Sequence, residues 1–132
     1  RAAPYNLRVW LDDAEIAASL TMDLAIAHGI ERSRVFLCLV TEKYITKVAG
    51  RGPNRLNDNC LREFTYGAHH NPGRMLAVPV EEGCLNTQTW TGPVGYRLGA
   101  SIYPARLDPA EAGTDASWNV QVAHLVTRLQ QM

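Results

Sequence analysis

Long hydrophobic runs are missing from this 132-residue chain, and with them the simplest membrane architectures. No stretch reaches the ~18 consecutive apolar residues of a spanning helix. Arg1-Ala2-Ala3-Pro4 opens the chain and no signal-type apolar segment follows it. An excess of one charge is missing too. The 13 basic residues balance the 13 acidic ones, so no global field draws the chain to nucleic acid or to an anionic membrane. Cysteine is scarce and odd in number. Cys38, Cys60 and Cys84 lie far apart, a spacing that fits neither a disulfide framework nor a zinc site. The composition therefore points to a reducing, cytoplasmic setting and to no metal. It suits a small-molecule enzyme or a protein–protein module. At this length one domain is expected over 1–132, burying about two thirds of its unfolded surface.

What is present alternates in period. Leu7-Arg8-Val9-Trp10-Leu11 is short and rich in strand formers, and Asp12-Asp13 ends it with turn chemistry. From Ala14 the spacing changes, with Ile16, Leu20, Leu24, Ala27 and Ile30 on one helical face and Asp13 placed to cap it. Gly29 weakens the far end of this helix, and His28 is a packing or boundary residue. Val35-Phe36-Leu37-Cys38-Leu39-Val40 is apolar without alternation, which predicts a central strand covered by helices on both faces.

Thr41 then caps a short helical turn in which Tyr44 packs. Residues 49–59 hold glycine, proline and asparagine and form a loop, made locally basic by Arg51 and Arg55. Two guanidinium groups in such a loop either face solvent or meet a pyrophosphate. Leu61, Phe64, Thr65 and Ala68 give the next helix its buried face, and Pro72-Gly73 stops it. His69 and His70 point about 100° apart on that helix, so they cannot chelate one ion together. Met75-Leu76-Ala77-Val78-Pro79-Val80 is a second buried strand, with Pro79 near its end, where a missing amide costs least.

Residues 81–99 are expected to be mostly irregular, because glycines and Pro93 break every period. Ser101-Ile102-Tyr103 forms a last short strand, and 110–114 is a connector. Asp115 or Ser117 caps a final helix over about 115–131, with Trp118, Val122, Leu125, Val126 and Leu129 on one face. Strands alternating with helices call for a parallel sheet in an α/β fold.

The order Ile30-Glu31-Arg32-Ser33-Arg34, apolar strand, Thr41-x-x-Tyr44, Cys60-x-x-Glu63, apolar strand resembles the Toll/interleukin-1 receptor (TIR) domain family. It is most similar to the TIR domains of protist and algal multidomain proteins, and the resemblance covers about 7–107. It implies a flavodoxin-like, three-layer fold with helices on both faces of the parallel sheet. The first strand and helix of that fold have no counterpart before Leu7. A gap at the sheet centre would expose unpaired backbone, so an isolated chain is expected to be unstable or oligomeric unless a partner or swapped segment fills it or the strands rearrange.

In activity, the resemblance implies a cytoplasmic signalling module of the innate-immunity type that acts as an NAD+ nucleosidase. NAD+ is its substrate and no cofactor is needed. The counterpart of the family's catalytic glutamate is Glu63. Trp10, Asp12, Thr41, Tyr44 and Cys60 are the matching substrate-binding candidates, and Arg51 joins them on the basic charge of its loop. Asn59 stands where many plant members carry tryptophan, which leaves Tyr44, Phe64 or Tyr66 to supply the stacking aromatic. Trp90-Thr91-Gly92 resembles a further family element. The alternative reading is a non-enzymatic scaffold that self-associates or joins other TIR domains. In a plain structural reading, Glu63 is a first-turn glutamate stabilised by the helix dipole. Cys60 reads as a small packed residue, because no nearby histidine activates it. A nucleotide binder of another kind lacks the glycine-rich phosphate loop it would need.

Overall fold

A computed structural model describes residues 22–100 and 116–132. The fold is α/β. Helix α1 spans Met22–Arg32, strand β1 Phe36–Val40, helix α2 Glu42–Val48 and helix α3 Asn59–His70. Strand β2 spans Met75–Pro79, helix α4 Gly92–Leu98 and helix α5 Ala116–Gln131, with one-turn 3-10 helices at Glu82–Cys84 and Thr87–Thr89. The strands expected at 7–11 and 101–103, the Asp13 and Asp115 caps, the 110–114 connector and the positions of Ile16 and Leu20 lie outside the described residues.

β1 and β2 pair in parallel, from Phe36 opposite Met75 to Val40 opposite Pro79. Pro79 occupies the last rung, and the ladder closes with Val80 N–H donating to the Val40 carbonyl at 3.1 Å. One face of this pair carries Phe36, Cys38, Val40, Met75 and Ala77, packed against Ile45 and Val48 of α2, Phe64 and Ala68 of α3, and Val94 and Leu98 of α4. The other carries Leu76 and Val78, which meet Val122, Leu125 and Leu129 of α5.

Strand β1 departs from expectation on that second face. Leu37 and Leu39 are 38 % and 52 % exposed. An unbroken apolar run signals two covered faces only when helices lie over both, and among the described residues α5 packs on the β2 side and no helix covers the β1 side. Among the described residues β1 has one strand neighbour, β2, rather than two.

The helices show smaller rotations of face. In α1 the buried residues are Ala25, Gly29 and Ile30, whereas Leu24 is 43 % exposed and His28 is exposed. In α3, Phe64, Gly67 and Ala68 are buried and Thr65 faces solvent. Gly67 replaces Thr65 on the packed face because the helix lies tightly on β1. A Cβ at Gly67 would fall 2.5 Å from the Phe36 ring. In α5, Leu125 and Val126 are buried as their spacing predicts, and Ser117 lies inside the helix rather than at its cap.

Segment 81–99 is more regular than its breakers suggest. Pro93 sits in the first turn of α4, where its missing N–H costs nothing. Gly95 is needed because a Cβ there would come within 2.5 Å of the Trp90 carbonyl oxygen, and Gly99 serves as the C-cap. Trp90 is buried, and its Nε1–H donates to the Cys84 carbonyl at 2.9 Å. No helix among the described residues is long and apolar enough to cross a membrane.

Candidate functional site

The connection from β1 to β2 places the candidate residues. The chain leaves Val40, forms α2, loops through 49–58 and returns along α3, which ends at His70 just before β2 begins at Met75. The far end of α3 therefore lies over the start of the strands, as the contact between Gly67 and Phe36 shows. Its first residues lie toward the strands' carboxyl ends, where open α/β sheets form their crevices.

Both helices at this edge begin with a side-chain cap. Thr41 Oγ1 accepts the Tyr44 N–H at 3.0 Å, opening α2. Asp58 opens α3, its Oδ1 accepting from the N–H groups of Cys60 and Leu61 at 2.7 and 3.2 Å. Asp58 is buried, and Lys47 Nζ approaches its other oxygen at 3.8 Å. Sequence reasoning gave Asp58 and Lys47 no role. The signal was there, since aspartate just ahead of an apolar helical spacing is a standard N-cap.

Behind the caps lies a cluster of polar groups that influence one another. Tyr44 Oη donates to Cys38 Sγ at 3.6 Å. Burial pushes the Cys38 thiol up to about 12, partly offset by that hydrogen bond. Burial likewise raises Tyr44 well above the ordinary phenol range, and the neighbouring Cys38, Cys60 and Glu63 act in the same direction. Desolvation also pushes Cys60 up. The Lys47 ammonium pulls it down, while Asp58 and Glu63 oppose that pull. Cys60 is thus a half-buried neutral thiol rather than an activated nucleophile.

Glu63 is the fifth residue of α3, in its second turn, and not in the first turn as expected; the first turn contains no acidic residue. It is half-buried and lines an open cleft of about 210 Å³ between α1 and α3. Ile26, Ala27 and Ile30 of α1 supply the apolar wall. Asn59, Arg62 and Tyr66 flank Glu63 on α3, and Asp23 closes the rim. Tyr66 is the aromatic of this cleft, its hydroxyl donating to Glu31 Oε2. Phe64 is only 1 % exposed in the core and is not available for stacking.

Tyr44 and Cys60 are within electrostatic reach of Glu63, and Thr41 heads the helix that carries Tyr44, but of the predicted site residues Glu63 lines the cleft and Thr41, Tyr44 and Cys60 do not. Arg51 lies elsewhere, in a concavity formed by loop residues 50–55, its Nη2 donating to Thr91 Oγ1 at 3.1 Å. Trp10 and Asp12 lie outside the described residues. Sequence reasoning did not anticipate Asp23, Ile26 or Arg62 as cleft walls, because that needs the relative placement of two helices. His69 and His70 are exposed, and among the described residues no group of three or more His, Cys, Asp or Glu side chains is placed to hold a metal ion.

No family model, curated protein or solved structure matches this chain. What the site can do follows from its own chemistry. A carboxylate on the wall of a cleft with an apolar side and an adjacent phenol can hold a ring and stabilise positive charge developing on it. The cleft volume is below the ~300 Å³ at which drug-sized pockets begin, so it takes one ring-sized group and leaves the rest of a larger ligand outside.

Proposed function

We propose that the chain is a TIR-type NAD+ nucleosidase with Glu63 as its catalytic residue. The observation that carries this reading is the half-buried carboxylate of Glu63 on the wall of an open cleft beside Tyr66, near the carboxyl ends of the strands. Cleavage of the nicotinamide–ribose bond sends the bonding electron pair to the pyridine nitrogen and leaves an oxocarbenium-like ribose. Glu63 stabilises that cation and holds a ribose hydroxyl. Water then adds at the anomeric carbon, releasing ADP-ribose, nicotinamide and a proton. The reaction needs no metal and no second carboxylate.

The same reading makes the sheet the described part of a flavodoxin-like, three-layer TIR fold. It is supported by apolar clusters on the two faces of the sheet. It also places the protein in the cytoplasm, in keeping with three free cysteines.

The test is nicotinamide release from NAD+, followed by chromatography for the wild-type chain and for Glu63→Gln. Turnover that falls about 10²–10³-fold in the variant, with the melting temperature unchanged, is the expected result; removal of a single group stabilising transition-state charge has this magnitude. Turnover retained in Glu63→Gln overturns the assignment.

A second reading is favoured by one specific observation. The exposed Leu37 and Leu39 on β1 suit a non-enzymatic scaffold that joins like domains, because exposed apolar strand surface marks contact sites. Concentration-dependent self-association without NAD+ turnover selects that reading.

A further inference from the structure

The loop joining α2 to α3 combines basic charge with a fixed backbone. Residues 49–57 contain Arg51 and Arg55 and no acidic residue. The loop is braced by backbone hydrogen bonds, from Gly50 N–H to Lys47 O, Arg51 N–H to Thr46 O and Arg55 N–H to Gly52 O, each at 3.0 Å. Gly50 takes φ +77°, and a Cβ there would meet Leu56. Arg55 holds φ 51°, the left-handed region that non-glycine residues rarely adopt. The concavity enclosed by Gly50, Arg51, Gly52, Pro53 and Arg55 is about 580 Å³.

Two further observations single out this concavity. Arg51 is oriented by its bond to Thr91, so part of the entropy of fixing a long side chain is already spent. Lys47, whose stem lies against Gly52, is the cation with a carboxylate partner, Asp58; among the described residues neither Arg51 nor Arg55 makes an ion pair. Two guanidinium groups on a rigid concave loop lined by no carboxylate match the planar, multidentate recognition of phosphoryl oxygens. A structural role for Arg55 does not explain its backbone, since glycine would adopt that φ without strain.

We infer that the 50–55 loop is a binding site for a phosphoryl anion, held by the guanidinium groups of Arg51 and Arg55. The site does not line the Glu63 cleft, and the inference stands independently of the nucleosidase reading. The ligand is either a free phosphate compound or the diphosphate of a nucleotide, which share this chemistry.

Isothermal titration with inorganic pyrophosphate at low and moderate salt tests it, using the full chain with Arg51→Gln, Arg55→Gln, Arg55→Gly and the Arg51→Gln/Arg55→Gln double variant. Saturable binding that weakens with salt is expected, with a loss of about tenfold for each guanidinium removed, the size of one hydrogen bond to a charged group. Arg55→Gly separates ligand binding from folding: it relieves the left-handed backbone, so its melting temperature holds or rises while binding falls. Displacement of pyrophosphate by ADP-ribose assigns the site to a nucleoside diphosphate. Binding that ADP-ribose leaves untouched assigns it to a small free phosphate compound. Absence of pyrophosphate binding, or equal binding by the double variant, overturns the inference. No turnover enters these measurements, so failure of NAD+ cleavage leaves their outcome standing.

Discussion

Replacing Asp58 by alanine should cost about 2–4 kcal/mol, most of it at the start of α3. The carboxylate takes two N–H groups of the first turn, those of Cys60 and Leu61. Losing an N-cap costs about 1 kcal/mol, and up to about 2 in favourable protein contexts. The site is 1 % exposed, so water cannot replace the lost acceptor freely, and desolvation of the orphaned donors adds about 1–2 kcal/mol together. The loss of Lys47 counts for less. Its side chain is 29 % exposed and can turn to solvent, which keeps the ion-pair contribution under about 1 kcal/mol.

The Asp58→Asn variant separates these effects. Asparagine caps as well as aspartate does and removes only the charge, so its cost should be about 1 kcal/mol or less. In thermal melts the alanine variant should lose roughly 8–16 °C and the asparagine variant only a few degrees. If asparagine proves as damaging as alanine, the ion pair and not the cap opens the helix. If alanine falls within about 0.5 kcal/mol of the wild type by urea titration, the capping argument is wrong.

Two further outcomes follow from buried positions. Gly95→Ala forces a Cβ to within 2.5 Å of the Trp90 carbonyl oxygen, a backbone atom that cannot rotate away, so a loss of about 1–3 kcal/mol is expected from chemical denaturation; an unchanged midpoint would mean that α4 shifts freely. The thiols should divide by exposure and by pH. Near neutral pH the half-buried Cys60 should label in the native chain, while Cys38 and Cys84 should react only after unfolding. The unfolded chain releases its thiol protons near pH 9, whereas burial holds Cys38 to about 12 and Cys84 to about 11. The contribution of these two thiols is therefore full below about pH 9 and falls as pH rises toward those values, by up to about 1.4 kcal/mol per unit for each group. Urea midpoints that stay level from pH 8 to 10.5 would contradict this.

The parts of the fold that the sequence made legible are those whose side chains report on their own element. The two apolar runs became β1 and β2, the break at Pro72-Gly73 follows the end of α3, and the spacing of Val122, Leu125, Val126 and Leu129 marks the inner face of α5. What stayed hidden depends on neighbours. Nothing local distinguishes Leu37 and Leu39 from Cys38 and Val40, because their exposure is set by where α5 settles. Gly95 looked like a breaker, yet it is a close-approach residue inside a helix. At the candidate site, Glu63 stood out through a motif. Its cleft partners Asp23, Ile26 and Arg62 belong to two helices brought together by packing, and no spacing along the chain reveals that.

Helix α3 is pinned at both extremities: its head is tied down by the Asp58 carboxylate, and its tail rests so closely on the Phe36 ring that only a hydrogen fits at position 67. A rod fastened in this way can neither slide nor tilt without breaking one of its two anchors, so the backbone that carries Glu63 is a stationary landmark. Widening the groove to admit a bulkier guest must then come from α1 swinging outward, which makes the small side chain at position 27 a natural determinant of how large that guest can be.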